Sequence, residues 1–268
     1  MQHEAYRLTG FTAVIAALGF LLRWLQNMNI IDPLTGLARQ GTVISFLLSA
    51  LIIIVAAALA AFAFYLRQYD CPSAAEEALS GHTFLFTVFG VLIAAMLAVS
   101  GAIQLLQSGS AEWPMVHRLC GICTLAAAVG VLLLITGASN AEKGGARRFG
   151  SAVLVVFGCL WLITIYKDSA ADPVLWTFAI EILAVCSSLI AFYYLAGYQY
   201  GEPKPLAAIF FCNFGAFLCI ISAIDEHTLA ESICYASVAL LLLMWGFVLV
   251  ENLQKADRPF KLDDEIKK

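Results

Sequence analysis

Glu181 is the residue whose position most demands a chemical explanation. It lies about two turns inside an apolar run that starts near Pro173, flanked by Trp176, Phe178, Ile180, Ile182 and Leu183. An ionisable side chain within a membrane segment is costly and normally faces a partner or a wet cavity. Thr177, Glu181, Ala184, Ser188 and Ala191 follow helical spacing, so the carboxyl falls on a small, polar face. Candidate cations are Arg23, near the end of the first apolar run, and Arg118 at the start of the fourth, beside His117. Glu231 falls on the same side. These residues predict a polar pocket opening outward, lined by Glu181 and Arg118, with Arg23 and Glu231 close by. The structural alternative is a buried ion pair that fixes helix order, with the other charges reaching to the interface.

Asn213 is a second polar residue at membrane depth, near the centre of the seventh run. It can bind a solute or join two helices through a hydrogen bond, and the latter use is the commoner one. Asp225-Glu226-His227 forms an acidic turn. Three adjacent residues do not converge on one ion unaided, so a solvated loop is expected and no metal is assigned.

Cys120-Gly121-Ile122-Cys123 is the pattern that suggests redox chemistry. A C-x-x-C at the outer end of a membrane helix resembles the active pair of the vitamin K epoxide reductase family, which reduces quinones. The resemblance implies a redox role for Cys120 and Cys123, and it covers that tetrapeptide alone. The family relays electrons through a second cysteine pair in an outer loop, and no outer loop here carries a cysteine. Cys71 lies in a polar loop on the other side, and the remaining cysteines lie in apolar runs, where Cys behaves as a small hydrophobe. His3, His82, His117 and His227 are scattered, without spacing to hold haem between helices. No phosphate loop, zinc-protease or nucleophile-elbow motif is present. No cofactor is expected.

The elements that must position these residues follow from composition. Hydrophobic residues make up 62% of 268 residues, charged residues 13%, and the net charge is -4; the mean hydropathy is +0.87. A water-exposed globule carries about a quarter charged residues, so this chain needs lipid as its solvent. The absence of a basic stripe argues against nucleic-acid binding. Runs long enough to cross a bilayer occur near Thr9–Met28, Thr42–Leu66, Gly81–Leu106, Pro114–Gly137, Phe149–Tyr166, Pro173–Leu195, Pro205–Ile224 and Leu229–Val250. The first and fifth are the shortest. Asp32-Pro33, Asp70-Cys71-Pro72, Gly144-Gly145, Asp172-Pro173 and Gly201-Glu202-Pro203 punctuate them. No signal peptide or lipidation motif is evident. The predicted fold is an all-α integral membrane protein, a bundle of about eight transmembrane helices.

Lys and Arg concentrate on the side of the termini, at Arg7, Arg67, Lys143, Arg147, Arg148, Lys204 and the tail. Arg23, Arg39, Arg118 and Lys167 fall on the other. The bias predicts cytoplasmic termini in a cell membrane. Trp24, Trp113 and Trp176 suit the outer interface.

The halves also resemble each other. Arg7 and Gly10 recur at the spacing of Arg147 and Gly150, and Asp32-Pro33 at that of Asp172-Pro173. Tyr65-Leu66 and Tyr69 recur as Tyr194-Leu195 and Tyr198, and Phe86, Phe89, Gly90 and Ala98 as Phe211, Phe214, Gly215 and Ala223. Two parallel four-helix repeats, 1–138 and 139–251, followed by a tail 252–268, are the expected domains. Gly90, Ala94 and Ala98, repeated as Gly215, Cys219 and Ala223, form small-residue packing stripes and place the third and seventh helices near the bundle centre.

Three functional classes fit: a small-solute permease, a non-catalytic membrane subunit or sensor, and a thiol oxidoreductase. The expected partners are the lipid bilayer, a small solute, and a second protein or another copy of the chain.

Overall fold

The computed structural model describes residues 2–30, 43–70, 78–79, 84–110, 114–136, 144–169, 175–225 and 227–255. Eight helices in it are long and apolar enough to cross a membrane. They are α1 (Gln2–Ile30), α2 (Val43–Tyr65), α3 (Phe84–Gln107), α4 (Pro114–Thr136), α5 (Gly144–Ser169), α6 (Leu175–Gln199), α7 (Pro205–Ser222) and α8 (Leu229–Glu251). The chain is therefore a polytopic, all-helical membrane protein. In hydrocarbon the backbone has no water to bond to, so helices that satisfy themselves are the natural solution.

Two boundaries differ from expectation. The first and fifth helices, expected to be the shortest, are the longest, at 29 and 26 residues. Both run past their apolar windows into charged turns, carrying Glu4 and Arg7 in α1 and Arg147 and Arg148 in α5. Helical hydrogen bonding does not stop where the hydrocarbon does. Gly144-Gly145 accordingly opens α5 rather than ending a helix. Gly201 does mark a turn: its φ of +83° suits glycine, and Glu202 N–H donates to Gly197 O at 2.9 Å to close α6. Asp32-Pro33, Cys71-Pro72 and Asp172-Pro173 lie outside the described residues, as do Trp113 and the 256–268 portion of the tail.

Helices α3 to α8 form a closed circuit in which each packs on the next and α8 returns to α3. The interior is mostly aliphatic, with a run of aromatic rings through it. Phe157 and Trp161 of α5 stack at 5.5 Å, and Trp161 meets Tyr235 of α8 at 4.8 Å. Helix α1 lies outside this ring on α7 and α8, and α2 lies on α1 and α7. Two thirds of the α7 and α8 membrane windows are buried (67% each), against 17% for α2. Thus α7 is central, as its small-residue stripe suggested. Helix α3 is not: 39% of its window is buried, because it contacts the ring on two sides only.

The described ends of the chain share a face. Tyr6 near the start of α1 meets Phe247 near the end of α8 at 5.1 Å. A two-residue antiparallel pairing, β1 (Tyr69–Asp70) with β2 (Gln254–Lys255), ties the end of α2 to the end of α8. Asn252 Nδ2 adds a bond to Ala78 O at 3.0 Å. The position 138/139 expected to divide the chain falls between α4 and α5, which pack extensively on each other.

Small residues set the closest approaches. A Cβ at Gly150 would lie 2.7 Å from Gly130 O, and one at Gly130 would lie 2.9 Å from Gly150 O. The backbones of α4 and α5 therefore touch. Gly101 and Gly121 do the same for α3 and α4, at 3.0 and 3.3 Å. Gly90 leaves room for Ile135, and Gly215 sits against the Ser187–Ser188 backbone, with Cys219 Sγ 3.2 Å from Ser188 Oγ. Ala94 is buried, and Ala98 and Ala223 are half-buried. Methyl groups at the α4–α5 contact have no space, since the obstacle is backbone. Gly150→Ala is expected to cost about 1–3 kcal/mol, read as thermal unfolding in detergent. Gly10→Ala meets nothing within 4 Å and should hold or raise stability, because Ala loses less backbone entropy than Gly in a helix.

Candidate functional site

The rim of the bundle opposite the termini gathers most of the buried charge. Arg23 enters from α1 and meets Asp225 in the turn between α7 and α8. Nε donates to Oδ1 at 2.6 Å and Nη2 to Oδ2 at 3.0 Å. This parallel, two-bond geometry is the strongest arrangement for a guanidinium and a carboxylate. The two side chains are 2% and 7% exposed. Asn27 Nδ2 also donates to Asp225 Oδ1 at 3.0 Å. Arg23 Nη1 donates to Gln26 Oε1, and Gln26 Nε2 to Ser45 Oγ of α2, at 3.0 and 2.8 Å. One cluster thus clamps α1, α2 and the α7–α8 turn together.

Beside it lies Glu181 of α6, 7% exposed. Its contact is His227, whose Nε2 is 3.6 Å from Glu181 Oε1 and 3.0 Å from the Ser222 carbonyl oxygen. His227 Nδ1 is 4.0 Å from Glu231 Oε2. Its ring lies nearly parallel to that of Tyr235, at 4.9 Å and 20°, and so continues the aromatic column inside the ring of helices. The Tyr235 hydroxyl and Ser222 Oγ are buried with no protein partner among the described residues.

These placements revise the expected pocket. Arg118 does not line a site with Glu181; it is exposed and donates to Ser108 Oγ at 3.3 Å, in the α3–α4 connection. Arg23 is nearer the site, but its partner is Asp225. Glu231 is engaged in capping α8: its Oε2 accepts from Thr228 N and Thr228 Oγ1, both at 2.9 Å, while its own N–H faces Thr228 Oγ1 at 3.4 Å. The turn expected to be solvated is not so at its described positions, since the Asp225 and His227 side chains are 7% and 9% exposed. They are held down by Arg23 and Tyr235. Glu226 lies outside the described residues.

Oxygen and nitrogen atoms of Glu181, Asp225 and His227 lie within 4.8 Å of one another, as do those of His117, Asp168 and Glu231 on the same rim. In the second group His117 Nε2 is 3.2 Å from Asp168 Oδ2. The first group fits a proton better than a metal ion. Asp225 already holds a guanidinium, which would repel a divalent ion at that distance. His227 Nε2 faces a carbonyl oxygen, so it carries hydrogen and has no lone pair to give.

Asn213 joins helices. Its Oδ1 accepts from Thr12 Oγ1 of α1 at 3.1 Å, its Nδ2 donates to Ile209 O at 2.8 Å, and it is fully buried. Gly246 of α8 makes the space, since a Cβ there would lie 3.0 Å from Asn213 Nδ2. Cys120 is 3% exposed and Cys123 half-buried, both as free thiols. The redox reading asks for an accessible pair, which this burial does not provide.

Glu181 and Arg23 are conspicuous in the sequence, whereas Asp225 and His227 stand there only as part of a turn expected to be solvated, because charged residues in a short turn look solvated. One signal was available. Thr228-x-x-Glu231 is the pattern of a capping box, which assigns Glu231 to the helix end. No protein-family profile, curated protein or solved structure matches the chain, so the chemistry of this rim rests on its own geometry.

Removing one member of a buried ion pair leaves a charge without its counterpart. Asp225→Asn is expected to destabilise by about 3–5 kcal/mol, measured by unfolding in detergent. Arg23→Met combined with Asp225→Leu should recover much of that loss. Thr12→Val should cost only about 1 kcal/mol, as one interhelical bond is lost and the methyl volume is kept.

Proposed function

We propose that the chain is a small-solute permease whose rim cluster takes up a cation, in the simplest case a proton, during transport. The observation that carries this reading is the burial of Glu181 beside Asp225 and His227. Asp225 is paired with the Arg23 guanidinium, Glu181 lies beside that pair, and Glu231 adds a third carboxylate at the edge. In a medium of low dielectric such an excess is expensive, and a bound proton offsets it. His227 is placed to act as the carrier. Its ring lies between Glu181 of α6 and Glu231 of α8, with nitrogens 3.6 and 4.0 Å from their carboxylate oxygens. A proton that alters contacts between α6 and α8 has the differential affinity needed to shift a conformational equilibrium.

A second reading, a non-catalytic membrane subunit acting through a partner, draws on a different observation. The two described clefts are lined by other residues, and neither includes Glu181. A packed rim with no path to water would make the cluster a structural lock.

Water access at position 181 separates the two. Glu181→Cys in a cysteine-free background is treated with a membrane-impermeant thiol reagent from each side of sealed vesicles. The permease reading expects labelling from the face that carries Arg23, and protection when a transported solute is added. With the protein folded and unlabelled from both sides, the permease reading fails and the subunit reading stands.

A further inference from the structure

A groove of about 450 Å³ opens on the flank of the bundle between α5 and α6, at the face that carries the termini. Its floor is apolar, built from Val155, Val156 and Ala196, and its end is marked by Glu202 and Lys204. Tyr193 and Tyr200 stand beside it, 60% and 59% exposed, and Val156 is 53% exposed. Val156 and Tyr193 lie on membrane-crossing helices, where such exposure faces lipid chains, and Tyr200 lies just past the end of α6. The volume lies in the range typical of ligand sites, about 300–1,000 Å³.

The groove is fixed at its end. Arg148 Nε of α5 donates to Gln199 O of α6 at 3.0 Å, and Tyr200 Oη donates to Arg148 O at 3.4 Å. Gly197 lets the chain fold back, since a Cβ there would lie 2.9 Å from Glu202 O. Glu202 and Lys204 are both exposed, and neither forms an ion pair with a described side chain. They lie between the last residue of α6 and the first of α7, at the ends of two helices long enough to cross a bilayer, where headgroups are expected. An anion and a cation two residues apart, above an apolar channel, are complementary to a zwitterion that carries an acyl tail.

We propose that this groove binds one phosphatidylethanolamine molecule. Its acyl chain lies along Val155, Val156 and Ala196, its phosphate meets Lys204, and its primary ammonium donates hydrogen bonds to Glu202. The site is independent of the rim cluster, on the opposite face of the bundle. An ammonium with N–H donors suits Glu202 better than a quaternary one, and Glu202 offsets the pull that Lys204 and the exposed Arg148 exert on a purely anionic headgroup.

The test uses the full chain, delipidated and returned to nanodiscs of mixed phosphatidylethanolamine, phosphatidylcholine and phosphatidylglycerol, then released for native mass spectrometry. The expected result is one retained phosphatidylethanolamine per chain, enriched several-fold over the other two. Glu202→Gln with Lys204→Gln should remove the enrichment, and Val156→Trp, which fills the floor, should remove the bound lipid. All these positions are exposed, and a thermal melt in detergent shows each variant folded. Equal retention of the three lipids by the unaltered chain, or a preference for phosphatidylglycerol, overturns the proposal. So does enrichment that survives both the charge-removing and the groove-filling variants.

Discussion

The Arg23–Asp225 pair is the contact on which the rim of this bundle depends. Helices α1 and α2 lie outside the ring formed by α3 to α8, and lipid supplies little apolar incentive to keep them there. A guanidinium buried at 2% exposure must remain with its carboxylate, because separating them strands a charge in a medium that cannot solvate it. That demand holds α1 against the α7–α8 turn, and Gln26 extends it to Ser45 of α2. At mid-depth the Thr12–Asn213 bond repeats the connection between α1 and α7. Polar contacts thus attach the outer layer, while close backbone approach holds the ring.

Within the ring the limiting quantity is distance between backbones. Gly101 with Gly121 and Gly130 with Gly150 bring α3, α4 and α5 into direct contact. Dispersion falls steeply with separation, so these contacts are worth most where no side chain intervenes. Among the aliphatic side chains of the interior, Phe157, Trp161, Tyr235 and His227 make a run of ring contacts. His227 joins the two systems. One side of its ring is packed as an aromatic, and its nitrogens face Ser222, Glu181 and Glu231.

Asymmetry between the two faces of the bundle follows from the same chemistry. The rim opposite the termini carries most of the buried charge, with Asp225 held by Arg23 and Glu181 beside that pair. The face with the termini carries exposed charge at Glu202 and Lys204 above a lipid-facing groove. Burial converts charge into a constraint on helix position, whereas exposure leaves it available to a ligand.

The class and the number of membrane-capable helices were legible in the residues alone, because apolar length is a local property and the bilayer sets one threshold for every helix. The sequence also singled out Glu181 and Arg23, since a charge in an apolar run is conspicuous without any neighbour. Tertiary structure decided the pairings. Asp225 and His227 look like a solvated turn until α1 and Tyr235 cover them, and Arg118 looks like a partner for Glu181 until α4 directs it to Ser108. Which helix is central was likewise out of reach, because the small-residue stripes of α3 and α7 are alike in sequence while their neighbours differ. A residue type states what a side chain needs; only packing between helices far apart in the chain states what it receives.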